Sequence, residues 1–250
     1  MEVKNLVKSY KNKKVIDDLS FKIQKGKITA LIGPNGAGKS TVLKMLARLI
    51  ERDSGEILID GKRINEFKNE ELAKKIAILS QINEINVKLT VRELISFGRF
   101  PHNRHSLNDK DIKKIDQILD YLELKEIEAQ YLDELSGGQR QRALIGMVLA
   151  QDTEYILLDE PTNNLDIYHI TNLMKTIKRL CQELNKTIII VLHDINYASF
   201  YVDYICLLNE GNIVKYDCVE EVIKKEVLEK VYKINFEIKL VNGKPLAIYY

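Results

Sequence analysis

The sequence predicts an α/β fold, a largely parallel sheet with a helical segment inserted into it. Three observations carry this reading. Short apolar runs with strand character recur along the 250 residues, at Ile28–Ile32, Ile76–Leu79, Tyr155–Leu158, Thr187–Leu192 and Tyr204–Leu208. Helix-like segments alternate with them through much of the chain, the order expected when parallel strands are joined by crossing helices. Between about Ile82 and Gln151 the strand-like runs vanish and helical periodicity takes over. The expected organisation is one domain spanning 1–250, with a core formed by 1–81 and 152–250 and a helical subdomain at 82–151.

The strand Ile28–Ile32 runs into Gly33-Pro34-Asn35-Gly36-Ala37-Gly38-Lys39-Ser40-Thr41, and that loop opens an amphipathic stretch from Val42 to Ile50. Strand, glycine-rich turn and helix in this order make a phosphate-binding loop. Its three glycines let the backbone wrap tightly enough for several N–H groups to face one phosphate chain, and the helix N-terminus adds partial positive charge. In such a loop Lys39 reaches the β- and γ-phosphates of a nucleotide and Ser40 ligates Mg²⁺.

Next, Thr90-Val91-Arg92-Glu93 is a capping box, in which hydroxyl and carboxylate each satisfy an orphan backbone N–H, and it starts a helix through Phe97. Another helix begins near Asn108 and carries Ile112, Ile115, Leu119 and Leu122 on one face. Leu135-Ser136-Gly137-Gly138-Gln139 precedes a helical run, Arg140 to Ala150. Ser136 and Gln139 have capping-box spacing too, yet two adjacent glycines weaken a helix start by about 1 kcal/mol each relative to alanine. Bare N–H groups approaching an anion would account for them, giving a second phosphate-type site.

The strand Tyr155–Leu158 ends in Asp159-Glu160. Carboxyl ends of parallel strands face the ligand crevice, so this pair is expected beside the phosphate-binding loop. Asp159 suits a hold on Mg²⁺, and Glu160 suits polarising a water lined up on the γ-phosphate. Asn164-Leu165-Asp166 follows as a turn. After Gly211 the chain returns to short strands and a helix, Val219 to Tyr232, and closes with Phe236–Leu240 and Leu246–Ile248.

Composition mainly excludes. With 38 basic and 36 acidic residues interspersed, net charge +2, nothing resembles a polybasic nucleic-acid footprint. Cys181, Cys206 and Cys218 are odd in number and lack metal-ligand spacing, which fits reduced thiols filling core space in a cytosolic protein. The N-terminus lacks the apolar stretch of a signal peptide, and the longest apolar runs fall far short of a membrane span.

Taken together and in order, these residues resemble the ATPase subunits of ABC transporters, whose fold is a RecA-like P-loop NTPase core with an inserted helical subdomain and small β elements. Gly33–Thr41 is similar to Walker A, Leu135–Gln139 to the family signature and Tyr155–Glu160 to Walker B. The resemblance implies further roles. Gln81 looks like the Q-loop glutamine that touches Mg²⁺, Asn164-Leu165-Asp166 like the D-loop, His193 like the switch histidine on the γ-phosphate, and Tyr10 like the aromatic residue that stacks on adenine. It implies ATP and Mg²⁺ as ligands, with Gly33, Asn35, Gly36, Gly38, Lys39, Ser40, Thr41 and Tyr10 of one chain facing Ser136, Gly137, Gly138, Gln139 and Asp166 of a second in a head-to-tail homodimer closed by ATP. Catalysis would fall to Glu160, His193, Lys39 and Gln81, and metal binding to Ser40, Gln81 and Asp159.

Val91–His102 is similar to the "GRxPH" segment of ATPases serving iron–siderophore, haem and vitamin B12 importers, and the ending around Val231-Tyr232 and Phe236–Leu240 also resembles that group. The resemblance implies separately encoded membrane permease subunits, through them a substrate-binding protein, and a peripheral position on the cytoplasmic face of the membrane. Within it, Gly98–His105 is expected to dock a short permease helix through Arg99, His102, Arg104 and His105. A non-transport ABC ATPase would show tandem cassettes or a long coiled coil, and a module without turnover would lack Glu160 or His193. One departure is Asp217, standing where many relatives carry glycine after the Gly211-Asn212-Ile213 hairpin.

Overall fold

The computed structural model describes residues 1–11, 13–80, 88–103 and 106–250. Gln81, Arg104 and His105, three residues singled out above, lie outside them. In chain order the strands are β1 (Glu2–Tyr10), β2 (Lys13–Lys22), β3 (Ile28–Ile32), β4 (Ser54–Ile59), β5 (Lys62–Arg63), β6 (Ile76–Leu79), β7 (Tyr155–Leu158), β8 (Thr187–Val191), β9 (Tyr204–Asn209), β10 (Asn212–Cys218), β11 (Phe236–Val241) and β12 (Lys244–Tyr249). The α-helices are α1 (Lys39–Leu46), α2 (Asn69–Ala73), α3 (Val91–Phe97), α4 (Asp109–Tyr121), α5 (Gly137–Ala150), α6 (Ile167–Leu184), α7 (Ile195–Tyr201), α8 (Val219–Val222) and α9 (Lys225–Tyr232).

The central sheet has the order β10-β9-β3-β8-β7-β6, parallel except for β10, which pairs antiparallel with β9. Side chains alternate across it with period two and feed two separate cores. Ala30, Ile156, Ile190 and Leu207 join one core with α3, α4, α5, α6 and α7, while Leu31, Leu157, Ile189 and Cys206 join another. In that second core α1 lies between the central sheet and a smaller antiparallel sheet, β2-β1-β4-β5, burying Val42, Leu43, Met45 and Leu46. At the C-terminal side, β12 is fastened to α7: Asn196 Nδ2 donates to Ala247 O (3.0 Å) and its Oδ1 accepts from Ala247 N (2.8 Å).

Several boundaries differ from expectation for local reasons. The run from Val42 to Ile50 does not continue as helix, because α1 stops at Leu46 and Arg48 turns left-handed (φ 56), donating through Nη1 to Ile64 O and Phe67 O at 2.9 and 2.7 Å. The tail helix from Val219 to Tyr232 is two helices, broken where Lys224 is extended (φ −121, ψ 144). Asp217 sits within β10 opposite Ile205, and the tight turn before it is made by Glu210 (φ 49) and Gly211 (φ 78) instead. All three cysteines are free thiols, Cys181 and Cys206 buried as expected of core residues and Cys218 partly so.

Arg99 requires a larger correction. It is not an exposed docking contact: its side chain is 11% exposed, its Nε donates to Asp111 Oδ1 at 2.8 Å, and its Nη1 donates to Ala150 O at 2.7 Å. The pair fastens the end of α3 to α4 and to the end of α5. His102 is engaged within the chain as well, with Nε2 2.8 Å from Gln151 O. Burial raises the Asp111 carboxyl, but the Arg99 guanidinium and the Asn108 backbone N–H outweigh it and hold it below the usual carboxylate range. Arg99→Ala should therefore strand a buried carboxylate and cost about 3–5 kcal/mol in chemical denaturation. Because the folded-state pKa of Asp111 is depressed, its stabilisation is present at neutral pH and fades as pH falls below about 4. The gap between wild type and variant should narrow there.

Candidate functional site

Parallel strands β3, β7 and β8 all point their carboxyl ends at one edge, and the segments leaving them meet there. Leaving β3, the chain turns at Gly33 (φ 145), where a Cβ would run into the Leu208 carbonyl of β9, 3.1 Å from its carbon. It enters α1 through Gly38 (φ 98), where a Cβ would lie 2.5 Å from Ile16 Cδ1 of β2. Only glycine fits at either place, so the loop is squeezed between the central sheet and the small sheet. Lys39, 5% exposed, curls its Nζ back onto Gly33 O (2.9 Å) and Pro34 O (3.0 Å). Burial lowers its ammonium from the ordinary lysine value, opposed by nearby Glu160 and Asp159.

Leaving β7, Asp159 is 2% exposed and accepts the Ser40 hydroxyl at 2.7 Å. Burial raises its carboxyl above the ordinary aspartate value, ahead of the lowering by Ser40. A buried carboxylate short of positive charge beside a serine hydroxyl is a donor set that fits a hard, oxygen-preferring cation. Glu160 adopts the left-handed conformation (φ 51), as the chain turns on leaving β7. That turn aims its carboxylate at His193, just beyond β8, with Glu160 Oε1 2.7 Å from Nε2. Asn163 Nδ2 donates to the other oxygen, Oε2, at 2.6 Å. Asn163 was missed in the sequence; its signal was only a spacing of three from Glu160 across Pro161 and Thr162.

The remaining residues fall in two groups. Tyr10 ends β1, 48% exposed, with Lys8 Nζ 5.4 Å from its ring centre. Ser136 caps α5, its Oγ accepting from Gln139 N (3.3 Å) while Gln139 Oε1 accepts from Ser136 N (2.9 Å), so the capping box and the glycine pair coexist. Asp166 caps α6, accepting from His169 N at 2.8 Å. Among the described residues no hydrogen bond or ion pair joins Ser136–Gln139 or Asp166 to the Gly33–Thr41 loop.

A parallel sheet with a phosphate-binding loop, a paired Asp159-Glu160 beside it and a glycine-led helix apart from it define a P-loop nucleotide-binding cassette. The chain belongs to the ABC transporter family, whose sequence pattern matches residues 16–163. It is 52% identical over 250 residues to the petrobactin import ATP-binding protein YclP of Bacillus subtilis (strain 168), covering 100% of this chain and 99% of that one. It is 40% identical over 245 residues to the iron(3+)-hydroxamate import ATP-binding protein FhuC of the same organism, covering 96% and 91%. Among solved structures, the dimeric post-hydrolysis state of the ATP-binding cassette MJ0796 bound to ADP and Pi matches with a TM-score of 0.76 at 30% identity, covering 87% of this chain and 98% of that one.

A site that buries Asp159 with too little compensation should be relieved by neutralising it. Its folded pKa is raised, so its contribution to stability is fully present below the unfolded pKa and is lost as pH rises through the folded one. Asp159→Asn should accordingly raise the melting temperature of the purified protein by a few degrees at pH 8 and by less near pH 4, while ATP turnover falls. A lower melting temperature at pH 8 would show that the carboxylate is adequately compensated.

Proposed function

We propose that this chain is the ATP-hydrolysing subunit of a membrane importer, most specifically one for ferric siderophores. The observation that carries the hydrolytic reading is the Glu160–His193 contact of 2.7 Å beside the Ser40–Asp159 bond. It supports a mechanism in which ATP and water give ADP and phosphate. Tyr10 stacks on adenine, and Lys39 with the amides of Gly33, Asn35, Gly36, Gly38 and Thr41 neutralises the phosphates as charge develops on the γ-group. Glu160, held by Asn163, accepts the proton of the attacking water, and His193 is the residue that would reach the γ-phosphate. Ser40, Gln81 and Asp159 are the residues that would hold Mg²⁺, which when bound would supply neutralisation of phosphate charge.

We assign residues 1–81 and 152–250 to the nucleotide-binding core and 82–151 to a helical subdomain that meets the permease, where Phe97 and Phe100 are more than half exposed. In the ATP-bound homodimer, Ser136, Gly137, Gly138, Gln139 and Asp166 of one chain close over the nucleotide of the other, a reading supported by the dimeric cassette structure. No helix among the described residues is long and apolar enough to cross a membrane. That fits a peripheral subunit, on the cytoplasmic face, working with separate permeases and through them with a substrate-binding protein. The full-length likeness to a petrobactin import subunit and the likeness to an iron(3+)-hydroxamate one support the siderophore assignment.

Glu160→Gln should bind ATP but lose about 10²–10⁴-fold in turnover, since the amide keeps the shape and cannot take a proton. ATP should then trap it as a dimer on size exclusion; wild-type turnover in a monomeric variant would remove Glu160 from the mechanism. Lys39→Ala should instead weaken nucleotide binding itself, read by titration calorimetry. In cells, loss of the gene should abolish growth on ferric siderophore as sole iron source, and the Lys39→Ala chain should not restore it. Unimpaired growth of the deletion strain would overturn the siderophore assignment while leaving the ATPase intact.

A further inference from the structure

His169, which the proposed chemistry leaves unused, touches both segments expected to face the partner's nucleotide. Its Nδ1 is 2.8 Å from Asp166 Oδ1, the same oxygen that accepts its backbone N–H at 2.8 Å. Its ring lies on Gly138, where a Cβ would come within 2.5 Å of Nε2 and 2.7 Å of Cγ. One residue earlier, a Cβ on Gly137 would stand 3.6 Å from Leu165 Cδ2. Both signature glycines are thus packed against the turn Leu165–Asp166 and the first turn of α6, around a cavity of about 220 Å³ that Ser136, Gly138, Gln139 and His169 line. An Asp166 carboxylate only accepts, which assigns a ring proton to Nδ1 and turns the Nε2 edge toward the signature side.

Resting on the head-to-tail reading above, we propose that His169 is a positioning residue that ties the Asn164–Asp166 turn to the signature glycines of its own chain. The two segments then approach the partner's nucleotide as one rigid unit. Gly138 has two reasons to lack a side chain, the partner's phosphate on one side and the imidazole on the other. The bond to Asp166 and the ring contact with Gly138 are separable. His169→Asn can keep a donor toward Asp166 but lacks the ring, whereas His169→Phe keeps a ring and lacks the donor. If both links are needed to make one unit, neither variant should recover more than about a third of wild-type turnover, with His169→Ala lower still, about tenfold below wild type. ATP affinity of each chain's own loop, by calorimetry, should stay within about twofold. Wild-type turnover in His169→Ala would overturn the proposal.

Mixed dimers separate positioning from simple damage. Chains carrying His169→Ala mixed with chains carrying Lys39→Ala leave one composite site intact, so turnover should exceed that of either parent alone. Chains carrying both substitutions, mixed with wild type, damage both sites of each mixed dimer, so those dimers should turn over no faster than the His169→Ala homodimer. A residue acting only on its own chain's loop or stability would reverse this order or erase it, and that result would overturn the proposal. Ser136→Arg in place of His169→Ala serves as control. Where the control follows the expected order and His169→Ala does not, the inference alone fails. Where the control also fails, the head-to-tail reading falls and the inference with it.

Discussion

The register of the parallel ladder is the constraint on which the site depends. Leu31 pairs with Val191 and Leu158 with Ile190, so β3, β7 and β8 end level with one another. The ladder carries on past the named strands: Asp159 N donates to Leu79 O at 2.9 Å and Leu192 N to Leu31 O at 3.2 Å. Gly33, Asp159 and His193 are each delivered to the edge by that pattern. A slip of one residue in β7 would exchange its faces, sending Tyr155 and Leu157 into the other core and turning Asp159 away from Ser40.

Inside this frame the two buried charges are kept apart. Lys39 is bonded to loop carbonyls and Asp159 to a serine hydroxyl, and burial pushes each toward its neutral form. A direct ion pair between them would satisfy both and leave little for a ligand to supply. Holding them separately leaves a buried ammonium and a buried carboxylate each without a direct ion pair, the kind of charge that a phosphate and a cation would complement. Glu160 is treated differently, fixed by neighbours on both carboxylate oxygens.

The sequence made legible what is periodic or glycine-marked. Strands buried on both faces stood out as apolar runs, and the loop, the capping boxes and the acidic pair declared themselves by spacing. The small antiparallel sheet did not, because β1 is interrupted by register shifts between Val3 and Leu6, Leu6 and Lys8, and Lys8 and Ser9, with Asn5 at φ 47. Such bulges break the alternation by which a half-buried strand is read. Helix α6, although strongly amphipathic, was hidden behind its first turn, where Ile167 and Tyr168 are exposed against the pattern. Arg99 reads as surface in the sequence because it is a charged residue two positions before a proline. Its burial is set by Asp111, twelve positions away, and no local pattern reports a partner at that distance. Asn163 and His169 act through contacts that close only when the turn after β7 folds back.

The clasp between Asn196 and Ala247 gives the C-terminal hairpin a place in the working parts of the molecule. Helix α7 begins two residues after His193, and its outer side is covered by β12, with Ser199 also donating to Pro245 O. Shortening the chain before Lys244 would strip hydrogen-bond partners from the helix that supports His193 and would expose Ala198 and Phe236 to water. A reporter group therefore belongs on Tyr250, which is 82% exposed and takes no part in the clasp.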